Sequence, residues 1–321
     1  MPKRGVRVVY AIGILTILIL LTSCGGRVAA GDKPIDTAAR LKQVQTGTQG
    51  IEVTVLPNNP PPLIYDQNEL ITILEIQNKG NHDLGTGDCF VQVTGFDPNI
   101  IRGYVTHSCA ENTGTLEGKN VYNLQGGINQ IEFHSPAVSL PSGVFEYNPT
   151  LNFVTCYNYH TRANPSVCVD PLFYQVTPQQ KTCLPHDVSI GGGQGGPVGI
   201  SYVGVTMIGG KAIFEINVIN FNTAGRVLSP YSDIQNCGQA SIEYKDLDKV
   251  TYNVNLGGGT GSLINCEPRD HIVRLNNGQG KIVCQFNIPG TSAFETPLMI
   301  DLDYNFVQSF KKTVKIVKTP E

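Results

Sequence analysis

Residues 69–80 read ELITILEIQNKG, and this stretch decides the fold. Leu70, Thr72, Leu74 and Ile76 fall on one side of a period-two pattern, and Asn78 and Gly80 then end it. Alternation over that length is a strand with one buried face. Asn and Gly supply the turn that follows. The plan returns later in the chain: Ala212, Phe214, Ile216 and Val218 alternate, Asn220 follows at the same offset, and Gly225 comes after it.

More landmarks recur in the same order. Cys89 opens the alternating stretch CFVQVTGF, and Cys237 opens CGQASIEY. VYNLQGGINQIEF (121–133) matches VRLNNGQGKIVCQF (273–286), each a strand, a Gly/Asn turn and a strand, as in a hairpin. LNFVTCYNYHT (151–161) matches LMIDLDYNFVQ (298–308), which sets Tyr157 against Tyr304 and Asn158 against Asn305. A last strand ending in Pro closes each copy, SVCVDP and VKIVKTP. Short strands at regular spacing, with turn residues between and no sustained helical period, predict an all-β fold. The repeat predicts two tandem Ig-like β-sandwich domains, at 49–176 and 177–318.

Composition agrees with a turning β chain. The 321 residues include 35 Gly and 20 Pro, only 15% are charged, and the net charge is −3. No clustered basic face is present to mark a nucleic-acid binder, so no nucleic-acid partner is expected.

The N-terminus predicts export. Lys3, Arg4 and Arg7 precede the apolar run Val8–Leu21, which is 14 residues long. A membrane-spanning helix needs roughly 20 residues, and a signal-peptide core about 7–15. Leu21-Thr22-Ser23-Cys24 resembles the lipobox of prokaryotic lipoproteins. The resemblance implies a signal peptide at 1–23, cleavage before Cys24, and acylation of its thiol. Two acyl chains anchor a protein stably where one holds marginally. An uncleaved signal-anchor helix over Val6–Ser23 and simple secretion are the alternatives. All three leave the body outside the cytosol, because the positive residues stay inside. Residues 24–48 are then the lipidated N-terminus and a flexible tether, with a short helix possible around Asp36–Val44.

ELITILEIQNKG also resembles the second strand of the Ig-like CARDB modules of prokaryotic surface proteins, where a hydrophobic strand likewise ends in Asn-x-Gly. With the lipobox and GGQGGP (192–197), the tandem plan is similar to that of exported archaeal-type lipoproteins. The resemblance implies a location at the outer face of the cell membrane. Its implied partners are the membrane, through the anchor, and another envelope or surface protein.

Nine cysteines are present; apart from Cys24 they lie between residues 89 and 284, without the CxxC spacing of a zinc site. A disulfide set suits an oxidising compartment. The repeat predicts equivalent bridges Cys89–Cys109 and Cys237–Cys266. Cys156 and Cys168, on the last two strands of the first copy, predict a third, which leaves Cys183–Cys284. The rival pairing joins Cys183 to Cys237 and Cys266 to Cys284.

No motif carries catalysis, and no cofactor is expected. His160 stands four residues from Cys156, but a nucleophile must be a free thiolate, and Cys156 is expected to be oxidised. GGGQGGP (191–197) and GGGTG (257–261) lack the Lys-Ser/Thr of a P-loop. Two features would carry a binding protein instead, although a solvated strand face for the first and core packing for the second are the favoured readings. Asp246/Asp248 and Asp301/Asp303 are paired carboxylates on one strand face, able in principle to hold Ca2+. Phe145, Tyr147, Phe153, Tyr157 and Tyr159 could stack on a carbohydrate if exposed. The proline-rich NNPPPLIY (58–65) reads as a loop before the second strand. The leading expectation is a non-enzymatic structural or adhesive module, with carbohydrate or Ca2+ binding as the alternative.

Overall fold

The computed structural model describes residues 36–176, 180–238 and 242–320. The fold is predominantly β. Helix α1 (Thr37–Val44) precedes the strands. The first half contributes β1 (Ile51–Val55), β2 (Leu70–Asn78), β3 (Cys89–Thr94), β4 (Ile128–Ser135) and β5 (Thr150–Ala163). The second contributes β6 (Val198–Ile208), β7 (Lys211–Asn220), β8 (Lys249–Leu256), β9 (Ser262–Glu267), β10 (Gln279–Asn287) and β11 (Phe294–Thr313).

The repeat is visible in the strand order. β1–β2–β4 form an antiparallel sheet in the first half, and β6–β7–β10 form its counterpart in the second, with β9 added outside β10. β2 alternates buried and half-buried residues along its whole length, and β4 alternates exposed and buried ones. Their apolar faces turn towards a larger sheet that belongs to both halves. Its order is Ile272–Arg274, β8, β11, β5, β3, His107–Ser108. One contiguous core holds Leu70, Leu74 and Phe133 from the first half and Phe214, Phe286 and Phe306 from the second.

The halves are not two self-contained sandwiches. β5 and β11, equivalent in the repeat, pair antiparallel from Thr150↔Thr313 to Ala163↔Ile300. Residues 153–157 of β5 are buried on both faces, as a strand in the middle of a covered sheet must be. The last strand of each half then joins the other half. Ser166–Val169 pairs with Phe294–Pro297, at the start of β11. Lys315–Val317 pairs with Glu146–Tyr147 and, in parallel, with Leu63–Tyr65. The exchange is reciprocal, and Ala38–Glu321 forms one compact unit. The expected boundary at 176/177 therefore separates two sequence repeats but not two bodies. The flexible tether expected up to residue 48 is also shorter than that. Arg40 donates to the Val121 carbonyl, Lys119 to Thr46 O, and the Gly47 amide to Gly192 O, so residues 40–47 are held against the body.

The disulfides follow this exchange. The bridges are Cys89–Cys109, Cys156–Cys237, Cys168–Cys183 and Cys266–Cys284. Cys89–Cys109 is common to the expected set and the structure; Cys156–Cys168, Cys237–Cys266 and Cys183–Cys284 are replaced. Cys156 and Cys168 are not on neighbouring strands: they stand opposite Val307 and Glu295 on β11, about 40 Å apart at strand spacing. Cys266 lies directly opposite Cys284 in the β9–β10 ladder, with Cα atoms 4.1 Å apart, as the rival pairing has it. Cys237 is drawn instead to the middle of β5, and Cys183 to the exchanged strand.

Candidate functional site

The centre of the molecule is a local two-fold. The repeat aligns Asn158 with Asn305, and the β5–β11 ladder also sets Asn158 opposite Asn305. On the inward face Tyr157 meets Phe306 and Tyr159 meets Tyr304, all fully buried. Tyr159 donates its hydroxyl to Gly195 O at 3.1 Å, and Tyr304 shares a hydrogen bond with Thr161 Oγ1 at 2.8 Å. Burial pushes the hydroxyls of Tyr157, Tyr159 and Tyr304 well up, so these rings remain neutral.

On the outward face the two ends of the axis have diverged. One end is apolar: Val154, Cys156 and Val307 pack against Ile234 and Cys237 of a loop from the second half. Two first-half groups and one second-half group bond that loop directly. Cys156 bonds Cys237, Gln92 bonds Gln235 O and the Gly238 amide, and Asn158 bonds Asn305, which in turn donates to Ser232 O at 3.0 Å. At the other end, Asp303 takes the place of Cys156 in the repeat and the surface is charged. His160 donates through Nδ1 to Asp303 at 2.7 Å, and its Nε2 lies 3.3 Å from Asp301; Arg162 Nε donates to the same Asp301 oxygen at 2.6 Å. The Asp303 hydrogen bond raises the His160 pKa despite partial burial. His82, with its ring 5.8 Å from that of His160, is held down by burial and by His160. His82 had no signal in the sequence, because a loop rather than a motif brings it here.

The residues of the binding alternatives are placed as follows. Asp301 and Asp303 do share a strand face, but their carboxylates hold His160 and Arg162. Asp248 pairs with Arg226 at 3.1 Å. Asp246 lies on a short 3-10 turn. Among the described residues no group of three or more His, Cys, Asp or Glu side chains is arranged to hold a metal ion. Phe153, Tyr157 and Tyr159 are core residues, and the Tyr147 hydroxyl accepts from the Asp97 amide at 2.8 Å. Only Phe145 of that segment is prominently exposed, so these five residues form no aromatic platform. Cys156 is in a disulfide and offers no thiolate beside His160.

A cleft of about 640 Å³ lies over the outer face of β6, β7 and β10, between Ser201, Asn217 and Gln279 and the turn at Arg274–Asn276. Its cations are already engaged: Lys281 pairs with Glu215 at 2.6 Å, and Arg274 donates to Tyr244 O at 2.7 Å with its guanidinium 4.3 Å from the Tyr244 ring centroid. The proline-rich loop ends in Leu63–Tyr65, which receives the exchanged C-terminal strand. Buried Asp66 secures that strand, accepting from Lys318 Nζ and from the Thr319 amide, each at 2.7 Å. Cys24 and the apolar run Val8–Leu21 lie outside the described residues; among the described residues no helix is long and apolar enough to cross a membrane. No protein-family model and no curated protein matches this chain.

Proposed function

We propose that this chain is an exported, lipid-anchored protein of the outer face of the cell membrane. Its β body acts without catalysis, as a rigid spacer or as a binding module for another envelope protein. The observation that carries the reading is the set of four disulfides, which engages every cysteine of the described body. Such a set persists in an oxidising compartment and is rare in the cytosol. The basic-then-apolar N-terminus ending at Cys24 supports the same location. Each half is read as an Ig-like, CARDB-like strand plan completed by strands of the other half, supported by the shared strand order β1–β2–β4 and β6–β7–β10.

Fractionation and mass spectrometry of the native protein test this reading. The expected product starts at an acylated Cys24, sediments with the envelope, and takes up no thiol reagent until reduced. Recovery from the cytosol with Met1 retained and all nine thiols free would refute it. Crosslinking in intact envelopes, followed by identification of the joined chain, reads the partner.

A further inference from the structure

Where the N-terminal segment meets the body, a cavity of about 340 Å³ opens between Gly47–Gln49, Lys79 and the turn carrying Lys119 and Gln125. Every side chain that lines it with a polar group can donate a hydrogen bond, and no carboxylate lines it. The Thr48 hydroxyl and the carboxamides of Gln49 and Gln125 have no protein partner among the described residues. The Lys119 ammonium makes one hydrogen bond, to Thr46 O at 3.1 Å, and no described carboxylate lies within ion-pair distance of it. Burial, and then the neighbouring Lys79, lower its pKa. Lys79 has a partner in Glu52, at 3.3 Å, but that carboxylate is half-exposed and the pair is weak.

A partly buried cation next to a second one, with most donors unused, is costly alone and is stabilised by an anion. Two ammoniums and three neutral donors around a space of this size match the tetrahedral oxygens of a phosphate group. We propose that this cavity is a phosphate-binding site, with Lys119 as its principal contact and Lys79 as the second charge. One wall, Gly47–Gln49, leads directly back towards the N-terminus, and the Gly47 amide and carbonyl are bonded to Gly192 and Gly195. A phosphate bound here fastens that segment to the body. On the reading above the protein is held at a membrane surface, so a phospholipid headgroup is the source proposed; a free phosphate has the same chemistry.

The full chain is titrated with inorganic phosphate against chloride at equal ionic strength, by calorimetry and thermal melting. It is also co-sedimented with phosphatidylglycerol and with phosphatidylcholine vesicles. Lys119→Gln is expected to weaken phosphate binding about tenfold or more, and Lys119→Arg to retain most of it. Lys281→Gln, on the far sheet, is expected to leave it unchanged. Without phosphate, Lys119→Gln should melt no lower than the wild type, because a poorly paired cation is removed. Phosphate binding with selective sedimentation on phosphatidylglycerol assigns the lipid source; phosphate binding alone assigns a free phosphate. Either supports the site, whatever compartment the protein occupies. No phosphate-specific stabilisation of the wild type, or equal stabilisation of wild type and Lys119→Gln, overturns it.

Discussion

Asn158 and Asn305 face each other across the β5–β11 ladder, joined by a 3.0 Å hydrogen bond, and they are also the same position of the two sequence copies. A residue that pairs with its own counterpart marks a two-fold axis. The two halves therefore relate to each other as the subunits of a symmetric dimer do, with self-complementary contacts. The exchanged strands obey the same axis: Val169 pairs with Phe294, and Ile316, its counterpart, pairs with Tyr147.

Asn305 is 2% exposed and connects the axis to the covering loop through Ser232. Asn305→Leu leaves Ser232 O and the Asn158 amide without partners, and is expected to cost about 1–3 kcal/mol. Urea unfolding at constant m-value measures it. The Asn158→Leu, Asn305→Leu double variant should cost less than the sum of the singles, since the pair shares one bond. Strict additivity would show that the bond contributes nothing.

Reciprocal exchange predicts that neither half folds alone. A chain cut at residue 176 keeps β5 but loses its 14-residue partner, exposing an edge that is buried on both faces at its centre. Such an edge aggregates or seeks a second copy. Residues 38–176 and 180–320, expressed separately, should be insoluble or oligomeric. Co-expressed, they should reassemble into one soluble complex that gel filtration sizes as the intact body. A monomeric, cooperatively melting half would refute the interlocked fold.

The bridges should differ in worth. Cys156–Cys237 closes a loop of 81 residues and spans the halves, whereas Cys168–Cys183 closes one of 15. By loop-closure entropy the first contributes about 4.5 kcal/mol and the second about 3. Paired Cys→Ser variants, compared by denaturant unfolding, should therefore rank Cys156/Cys237 as the more damaging loss. That variant should also free the loop carrying Ser232–Gly238, raising its amide exchange while the β2–β4 ladder stays protected.

Strand positions were legible because a half-buried strand writes its period into the sequence, as Leu70–Asn78 and Lys211–Asn220 do. Strand partnership was not, because the same residues suit either sheet. Ser166–Val169 would be a good last strand at home or away. One signal was available: in FKKTVKIV (310–317) no Gly, Asn or Pro separates the long strand from the last one. A single residue, Val314, stands between them and leaves no room for a hairpin. The chain had to run straight on, beyond its own half. Two of the four bridges, Cys156–Cys237 and Cys168–Cys183, were hidden for the same reason, since cysteines close in sequence, such as Cys156 and Cys168, are carried apart along β11; Cys266–Cys284 is local to the β9–β10 ladder and stood in the rival pairing. The His160 cluster was half legible: the Asp301/Asp303 spacing showed one shared face, but what fills that face comes from β5, a repeat away.

The last strand and the central cluster should respond to pH in opposite directions. Lys318 and Thr319 hold the Asp66 carboxyl down to about 2, against an ordinary value of 3.8. Its contribution is complete above the ordinary value and is lost as pH falls through the native one. His160 is raised above 6.5, chiefly by Asp303, so its contribution is complete below 6.5 and is lost as pH rises through the native value. Asp66→Asn should flatten the acid limb of the stability profile and release the C-terminal strand, seen as faster exchange of the Lys315–Val317 amides, while leaving the neutral limb unaltered. Asp303→Asn should do the converse, lowering the His160 titration midpoint in NMR and removing the fall in stability above 6.5. If the two variants shifted the same limb, the assignment of the acid limb to the exchanged strand and the neutral limb to the axis would be wrong.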